Sequence, residues 1–411
     1  MQDKNTTQST FMQLFQPIFS KEIWTKINQE VPNLDRRAHK LKTNQLALLI
    51  CNAQLQEFRA LRKISSSLNQ KDFGDTLGLK SISHSQISRR LRVLPSKVSE
   101  MLFKNLLHQI AQKKGFGLIQ QRLGKLYMID ASTISLCLSR YPWAVFRKTK
   151  AGVKMHLRLS FDGVAIPDEV LVTPAKIADK KKLDELIVKD EDALNIFDRG
   201  YVDYKKFDEY CEKGIRFVSR LKENAVVQFV GERPVSEEGL IEEDVDILLG
   251  SNAKKMRNKL RIVTIDDTVN KPFSIVTNDF QLSAEEIGDI YRYRWQIELF
   301  FKWLKQHAQI KHFYGTSETA VMNQLLLSLM TYCALLLLKL ETGYKRDLLS
   351  LQRMIISCLF ETFDTFLKKL RRRLRSGPKR INHDRIYQIT EHQVMNDEMD
   401  WLNDLVYDPV I

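Results

Sequence analysis

The sequence predicts an α/β protein: a mixed-sheet core, interrupted by a β-rich insertion, between helical N- and C-terminal regions. Three observations carry this. Up to about residue 118, apolar residues recur at spacings of three and four, as in FMQLFQPIF, LALLICNAQLQEF and VSEMLFKNLLHQIA. From Lys125 they contract into short runs that close on turn residues, the mark of extended segments. Beyond residue 315 the helical spacing returns.

The totals leave room for this plan. At 411 residues the chain supports two or three domains and a sizeable core. Lys and Arg number 64 against 50 Asp and Glu, a formal charge of +14, which favours a polyanionic partner, with nucleic acid first. A merely basic surface is the plain alternative. The five cysteines (Cys51, Cys137, Cys211, Cys333 and Cys358) are far apart and form no Cys-x-x-Cys pair, so neither structural zinc nor disulfides are expected. The N-terminus lacks the pattern of a signal peptide, which points to an intracellular, cytoplasmic protein. The apolar stretch Leu325 to Leu338 falls short of the ~20 residues of a spanning helix and reads as a buried helix, so no membrane is expected.

Taken in order, residues 1–118 are helical, and DFGDTLGLKSISHSQISRRLRVLP within them offers a helix, a Gly-containing turn and a second helix bearing Arg89, Arg90 and Arg92. That pattern fits a helix-turn-helix reader of a DNA groove, although the same arrangement also occurs without DNA. An α/β unit follows over 119–222. LYMID closes on Asp130; VKMHLRLSFDG and VAIPDEVLVTP form a hairpin; KKLDELIVKDEDA is a helix; ALNIFD closes on Asp198; a helix spans Asp203 to Glu212; and IRFVSRLK is a strand. Residues 223–283, with AVVQFV, LRIVTI and FSIVT, are the β-rich insertion, 284–315 return to the α/β unit with a helix from about Ser283, and 316–411 are helical. The last region includes FLKKLRRRLRSGPKR, either a solvated face or a track for phosphates.

Asp130 and Asp198 each end an apolar run, where open α/β sheets place working residues. Each could simply cap its turn. If the two strands are neighbours, the carboxylates converge, and such a pair calls for a cation; hard oxygen ligands beside a phosphate suit magnesium. YRYRWQIELFFKWLK at 291–305 adds a third acid. At about 100° per residue, Tyr291, Arg294, Glu298 and Lys305 share one stripe, while Tyr293, Ile297, Phe300, Phe301 and Leu304 gather on a neighbouring arc that should pack on the sheet. Surface ion pairing would account for the charges of the stripe but not for its aromatics.

Tyr291, Arg294, Glu298 and Lys305, at spacings of three, four and seven, resemble the Y-R-E-K signature of DDE insertion-sequence transposases. LYMIDAST and IFDRGY resemble the same group's first and second Asp motifs, FVSRLK and SIVTN match its frame, and the likeness covers residues 120 to 310. It implies an RNase H-like catalytic core with Asp130, Asp198 and Glu298 as acidic triad and metal ligands. Two magnesium ions, replaceable by manganese, and no small-molecule cofactor follow from it. The implied activity is cleavage of transposon ends and joining of the 3′-hydroxyl to target DNA, with double-stranded DNA as partner and a homodimer on DNA.

Arg294, Lys305 and Tyr291 would hold phosphates, and Trp295 would stack on an unpaired base or else belong to the core. Arg199, Arg220 and Lys222 are secondary phosphate-binding candidates, and Arg89 and Arg90 candidates for reading the transposon end. An RNase H-like nuclease and a domesticated DNA-binding protein without cleavage activity are the alternatives.

Overall fold

The computed structural model describes residues 8–113, 118–235, 239–251, 255–266 and 272–375. Among the described residues the N-terminal region is built of helices and has no strand: α1 (Thr10–Leu14), α2 (Gln16–Phe19), α3 (Lys21–Glu30), α4 (Thr43–Leu55), α5 (Leu61–Ser67), α6 (Lys71–Leu77), α7 (His84–Val93), α8 (Ser96–Lys113) and α9 (Leu118–Leu123). Gly78 closes α6 with φ +59°, a left-handed conformation that suits glycine. Ser83 then opens α7 with a capping box, its hydroxyl accepting from the Gln86 N–H while the Gln86 side chain returns to the Ser83 N–H. The helix-turn-helix-like segment is therefore α6–α7, and α7 rests on α4, α5 and a long C-terminal helix, α14 (Glu318–Thr342).

The middle of the chain supplies β1 (Lys125–Leu136), β2 (Val145–Arg147), β3 (Lys150–Phe161), β4 (Ala165–Pro174), α10 (Leu183–Leu186), β5 (Ala193–Phe197), α11 (Tyr204–Glu212) and β6 (Arg216–Arg220). After these come β7 (Val227–Glu232), β8 (Ile241–Leu249), β9 (Leu260–Ile265) and β10 (Phe273–Thr277). All ten strands form one mixed sheet, in the order β2-β3-β1-β5-β6-β10-β9-β8-β7, with β4 beside β3. β5 lies parallel to both β1 and β6, whereas β10 joins β6 antiparallel, so the insertion strands extend the same sheet. The α/β class, with its helical flanks, is the one expected.

Both faces of the sheet are covered. Met128, Ile196 and Val218 point into a core shared with α12 (Ala284–Tyr293), α13 (Trp295–His307) and α14, while Ile129, Phe197 and Phe217 point into a second core with Phe207 and Tyr210 of α11. Every residue of β5 is consequently buried, as a strand sandwiched between helices should be. α15 (Leu348–Ser357) and α16 (Phe363–Arg375) complete the described C-terminal region.

Four details depart from expectation. β1 does not end at Asp130; it loses its parallel neighbour β5 there but keeps its ladder with β3 as far as Leu136. The stretch from Lys181 to Ala193 holds only the four-residue α10, because the Asn195 side chain pins the backbone of Val188 from both its N–H and its carbonyl. The insertion holds a further strand, β8, beyond the three apolar runs. α14 is 25 residues long and apolar enough to cross a membrane by length and composition, so the expected shortness fails, but 94% of its apolar window is buried inside the protein. Of FLKKLRRRLRSGPKR, the part up to Arg375 lies on α16 and the rest lies outside the described residues.

Candidate catalytic site

Ile129 of β1 faces Phe197 of β5, and Phe197 faces Ser219 of β6, in a continuous parallel register. Asp130 and Arg220 are the next residues on β1 and β6, and Asp198 directly follows β5 in extended conformation, so the three come in a row where the parallel register ends. Period-two alternation puts them on the same face as Met128, Ile196 and Val218, the face that α13 covers. Sequence reasoning expected the two aspartates to converge if their strands were neighbours; the strands are neighbours.

Each aspartate also does the plain job. Asp130 Oδ1 accepts from the Ala131 N–H at 2.7 Å and Asp198 Oδ1 from the Gly200 N–H at 2.8 Å, which fixes both side chains and leaves their Oδ2 atoms without a hydrogen-bond partner among the described residues.

Glu298 arrives from above the sheet. Ser283 caps α12 with a capping box to Glu286, and the helix runs to Tyr293. Arg294 keeps helical angles, φ −52° and ψ −30°, but its N–H bonds the Tyr291 carbonyl three residues back, and Ile297 does the same to Arg294. The stripe therefore crosses a tightened turn between α12 and α13. Ile297, Phe300, Phe301 and Leu304 are buried as their arc requires, with Phe300 and Trp303 packed edge-on against Tyr332 of α14. Tyr293 is half-buried against Phe161.

The working face is electrostatically coupled. Arg294 Nη1 is 2.6 Å from Glu298 Oε1, and its guanidinium lies 5.5 Å from the Tyr291 ring centre. Burial pushes the Asp130 carboxyl up to about 7; Arg294 pulls it back, while the like charges of Asp198 and Glu298 add to the rise. Burial also works against the Arg294 cation, yet Tyr291, Glu298 and Asp130 around it more than compensate and hold its pKa above the usual arginine value. Tyr291 is 8% exposed, and burial raises its hydroxyl pKa, so the group stays a donor; Asp198, Arg220 and Glu298 all lie within its electrostatic reach. Lys305 is half-buried, its pKa lowered by burial and then by Lys311, with Asp130 opposing.

As they stand, no three carboxylate, His or Cys side chains among the described residues are close enough to enclose a cation, and Glu298 is held by Arg294. The donor set nevertheless suits a hard divalent ion. It consists of carboxylate oxygens, and the Asp130 carboxyl, raised first by burial and further by the like charges of Asp198 and Glu298, is a group whose charged form a cation would favour.

The secondary candidates divide. Arg220 lies over the Phe273 ring at 5.1 Å, and Lys222 and Arg199 are exposed. Trp295 is half-buried beside the stripe. On α7, Arg89 is exposed, but Arg90 Nη2 is bound to Asp35 Oδ1 at 2.6 Å and to Thr43 Oγ1 at 2.9 Å, a tie between α7 and the start of α4. Sequence reasoning did not find the cleft of about 640 Å³ at the far end of α13, where Lys305, His307, Lys311 and His312 meet Arg59 and Arg353. Those groups come from segments as far apart in sequence as Arg59 and Arg353, and no local pattern joins them.

A family model for the transposase DDE domain matches residues 122–334. A protein provisionally named as the transposase of insertion sequence element IS5377 of Geobacillus stearothermophilus is 28% identical over 279 residues, 67% of this chain and 72% of the relative. One provisionally named transposase y4zB of Sinorhizobium fredii is 30% identical over 247 residues, 58% of this chain and 68% of the relative. Another, named in the same way for element IS4SA of Synechocystis, is 24% identical over 293 residues, covering 69% and 78%.

Proposed function

The chain belongs to the transposase DDE-domain family, and on that premise we propose that it cuts the ends of a transposable element and joins the freed 3′-hydroxyl to target DNA, with Asp130, Asp198 and Glu298 as its catalytic acids. The observation that carries the assignment is the register. Asp130 and Asp198 sit one step beyond Ile129 and Phe197 on adjacent parallel strands, under the helix that brings Glu298.

The reaction is phosphodiester transfer in two steps. In the first, a water oxygen attacks a phosphorus at the element's end; the new P–O bond forms as the bond to the 3′-oxygen breaks, leaving a 3′-hydroxyl and a 5′-phosphate. In the second, that 3′-hydroxyl attacks a target phosphorus and displaces a target 3′-oxygen. Asp130, Asp198 and Glu298 would hold two magnesium ions, or manganese in their place, which when bound activate the attacking oxygen and stabilise the leaving one.

The chain's own groups do the rest. Arg294 holds Glu298 and compensates the acids until a cation is present. Tyr291 donates its hydroxyl to a phosphate oxygen, while Arg220 and Lys305 grip phosphates on either side of the acids, and Arg199 and Lys222 add charge at the rim. Trp295 offers a ring to an unpaired base. Residues 119–222 and 284–315 form the catalytic unit, 223–283 the insertion, and 1–118 the end-binding region. There Arg89, which is exposed, faces DNA, while Arg90 is held by Asp35 and Thr43. The C-terminal region, 316–411, supports the site through α14 and α15. The protein acts on DNA in the cytoplasm, as a dimer holding two ends.

Glu298→Gln tests the assignment. It keeps the shape and removes the charge, so strand cleavage should disappear while binding of end DNA stays within about twofold, since the acid serves the metal and not the duplex. Cleavage at the wild-type rate would remove Glu298 from the triad.

A further inference from the structure

From Ala131 to Phe161 the chain contains no acidic residue and six cations, Arg140, Arg147, Lys148, Lys150, Lys154 and Arg158. Two of them have structural work: Lys154 pairs with Asp179 at 2.9 Å and Arg158 with Asp168 at 2.5 Å. The other four, Arg140, Arg147, Lys148 and Lys150, are exposed and have no acidic partner among the described residues. Three of the four surround one tight hairpin. Arg147 faces Lys150 across β2–β3, and Lys148 and Thr149 make the turn.

The hairpin is a fixed arm. Its strand β3 is laddered to β1 through eleven consecutive pairs, from Leu126↔Phe161 to Leu136↔Ala151. Its root is pinned to the segment after α13: the Trp143 indole N–H donates to the Thr316 carbonyl at 2.7 Å, Tyr141 meets Phe313 edge-on, and Ala144 is fully buried. That segment follows the helix that carries Glu298, so the arm and the third acid share a support.

Its reach follows from the strand. Leu136 is six residues beyond Asp130 on β1, and Lys150 lies one step past the partner of Leu136. At about 3.3 Å per residue the tip stands at most about 25 Å from Asp130, on the side toward which the acids face out of the parallel strands. At about 3.4 Å per base pair, that span is some seven base pairs of duplex.

We infer that the β2–β3 hairpin is a separate phosphate-binding arm, which grips the DNA backbone about six or seven base pairs from the bond being cut and so sets how far into the duplex the enzyme holds its substrate. The inference rests on the proposed cleavage site for its origin of measurement. The three cations of the hairpin, Arg147, Lys148 and Lys150, carry no base-reading pattern, and the arm therefore contributes affinity and register, not sequence choice.

The test uses the full chain and a labelled duplex bearing the DNA that flanks its own gene. It compares wild type with Arg147→Ala/Lys148→Ala/Lys150→Ala and with the charge-keeping Arg147→Lys/Lys148→Arg/Lys150→Arg. The alanine triple should lower the slope of log affinity against log salt by about 2.7, at about 0.9 per phosphate lost, and should erase hydroxyl-radical protection six or seven base pairs from the nick. The charge-keeping triple should retain both, and thermal melting should be the same for all three. An unchanged slope and footprint in the alanine triple, with wild type still nicking, would overturn the arm and leave the catalytic reading standing. Equal losses in both triples would overturn it as well, since shape and not charge would then matter. A wild-type chain that neither binds nor nicks the duplex would overturn arm and catalytic reading together.

Discussion

Arg294 and Glu298, one helical turn apart, are joined at 2.6 Å, and the same guanidinium favours the charged form of Asp130 on the sheet below. One arginine thus stabilises two acids on two different elements. The Asp130 carboxyl, at about 7, stands well above its ordinary value near 4, so the fold binds that proton more tightly than the unfolded chain does. The penalty of its charged form is complete above about pH 7 and vanishes below about pH 4. Arg294→Ala should therefore destabilise the protein by about 1–3 kcal/mol at pH 8 in EDTA and by less at pH 5, measured by urea unfolding. An equal loss at both pH values would mean that Arg294 is not compensating the acids.

Arg89 and Arg90 are adjacent in sequence and opposite in use. Arg90→Ala should lower stability by about 1 kcal/mol, because the tie to Asp35 and Thr43 is lost. Arg89→Ala should leave stability unchanged and reduce the salt slope of DNA binding by about one. Melting curves and binding titrations of the two variants separate the roles, and the reverse pattern would reassign them.

The contrast also shows what a sequence carries. Periods of 3.6 and 2 are local, and β1, β3, β5, β6 and the helices around them were legible from them. β8 was not. Its run IEEDVDILL sets acids among apolar residues, and buried Asp244 is acceptable there because Arg261, on the next strand, donates to both its carboxylate oxygens from Nε and Nη2 at 2.6–2.7 Å. Arg90 and Asp35, 55 residues apart, illustrate the same limit. In the site, Asp130 and Asp198 could be found as acids ending apolar runs, but the row they make with Arg220 depends on a strand register that no spacing within one strand reveals.

His156 predicts a pH dependence of folding away from the acids' own chemistry. Its side chain is fully buried, with Nε2 2.9 Å from Thr173 Oγ1, and burial pushes the imidazole down to about 4; Asp179 opposes that shift, and Lys154 and Lys182 reinforce it. The unfolded chain takes up this proton near pH 6.5 and the folded one only near 4, so stability falls as pH drops through that window, by about 2–3 kcal/mol from this group. His156→Gln should flatten the stability profile between pH 6.5 and 4. A slope equal to that of wild type would show that His156 does not carry it.

Lys305 connects the acids with the basic cleft at the end of α13. Lys305→Ala should lower the salt slope of DNA binding by about one and weaken binding about equally for all sequences. A slope unchanged within error would remove this lysine from the phosphate-binding groups.

The central claim is that Asp130, Asp198 and Glu298 cut DNA with a divalent metal. The most direct measurement is cleavage of a labelled duplex carrying the DNA that flanks the gene, with magnesium, with EDTA, and with Asp198→Ala. Nicking at one fixed position that requires magnesium and disappears in the variant is the predicted result. Tight binding without a cut under any of these conditions, or a cut that survives Asp198→Ala, would contradict it.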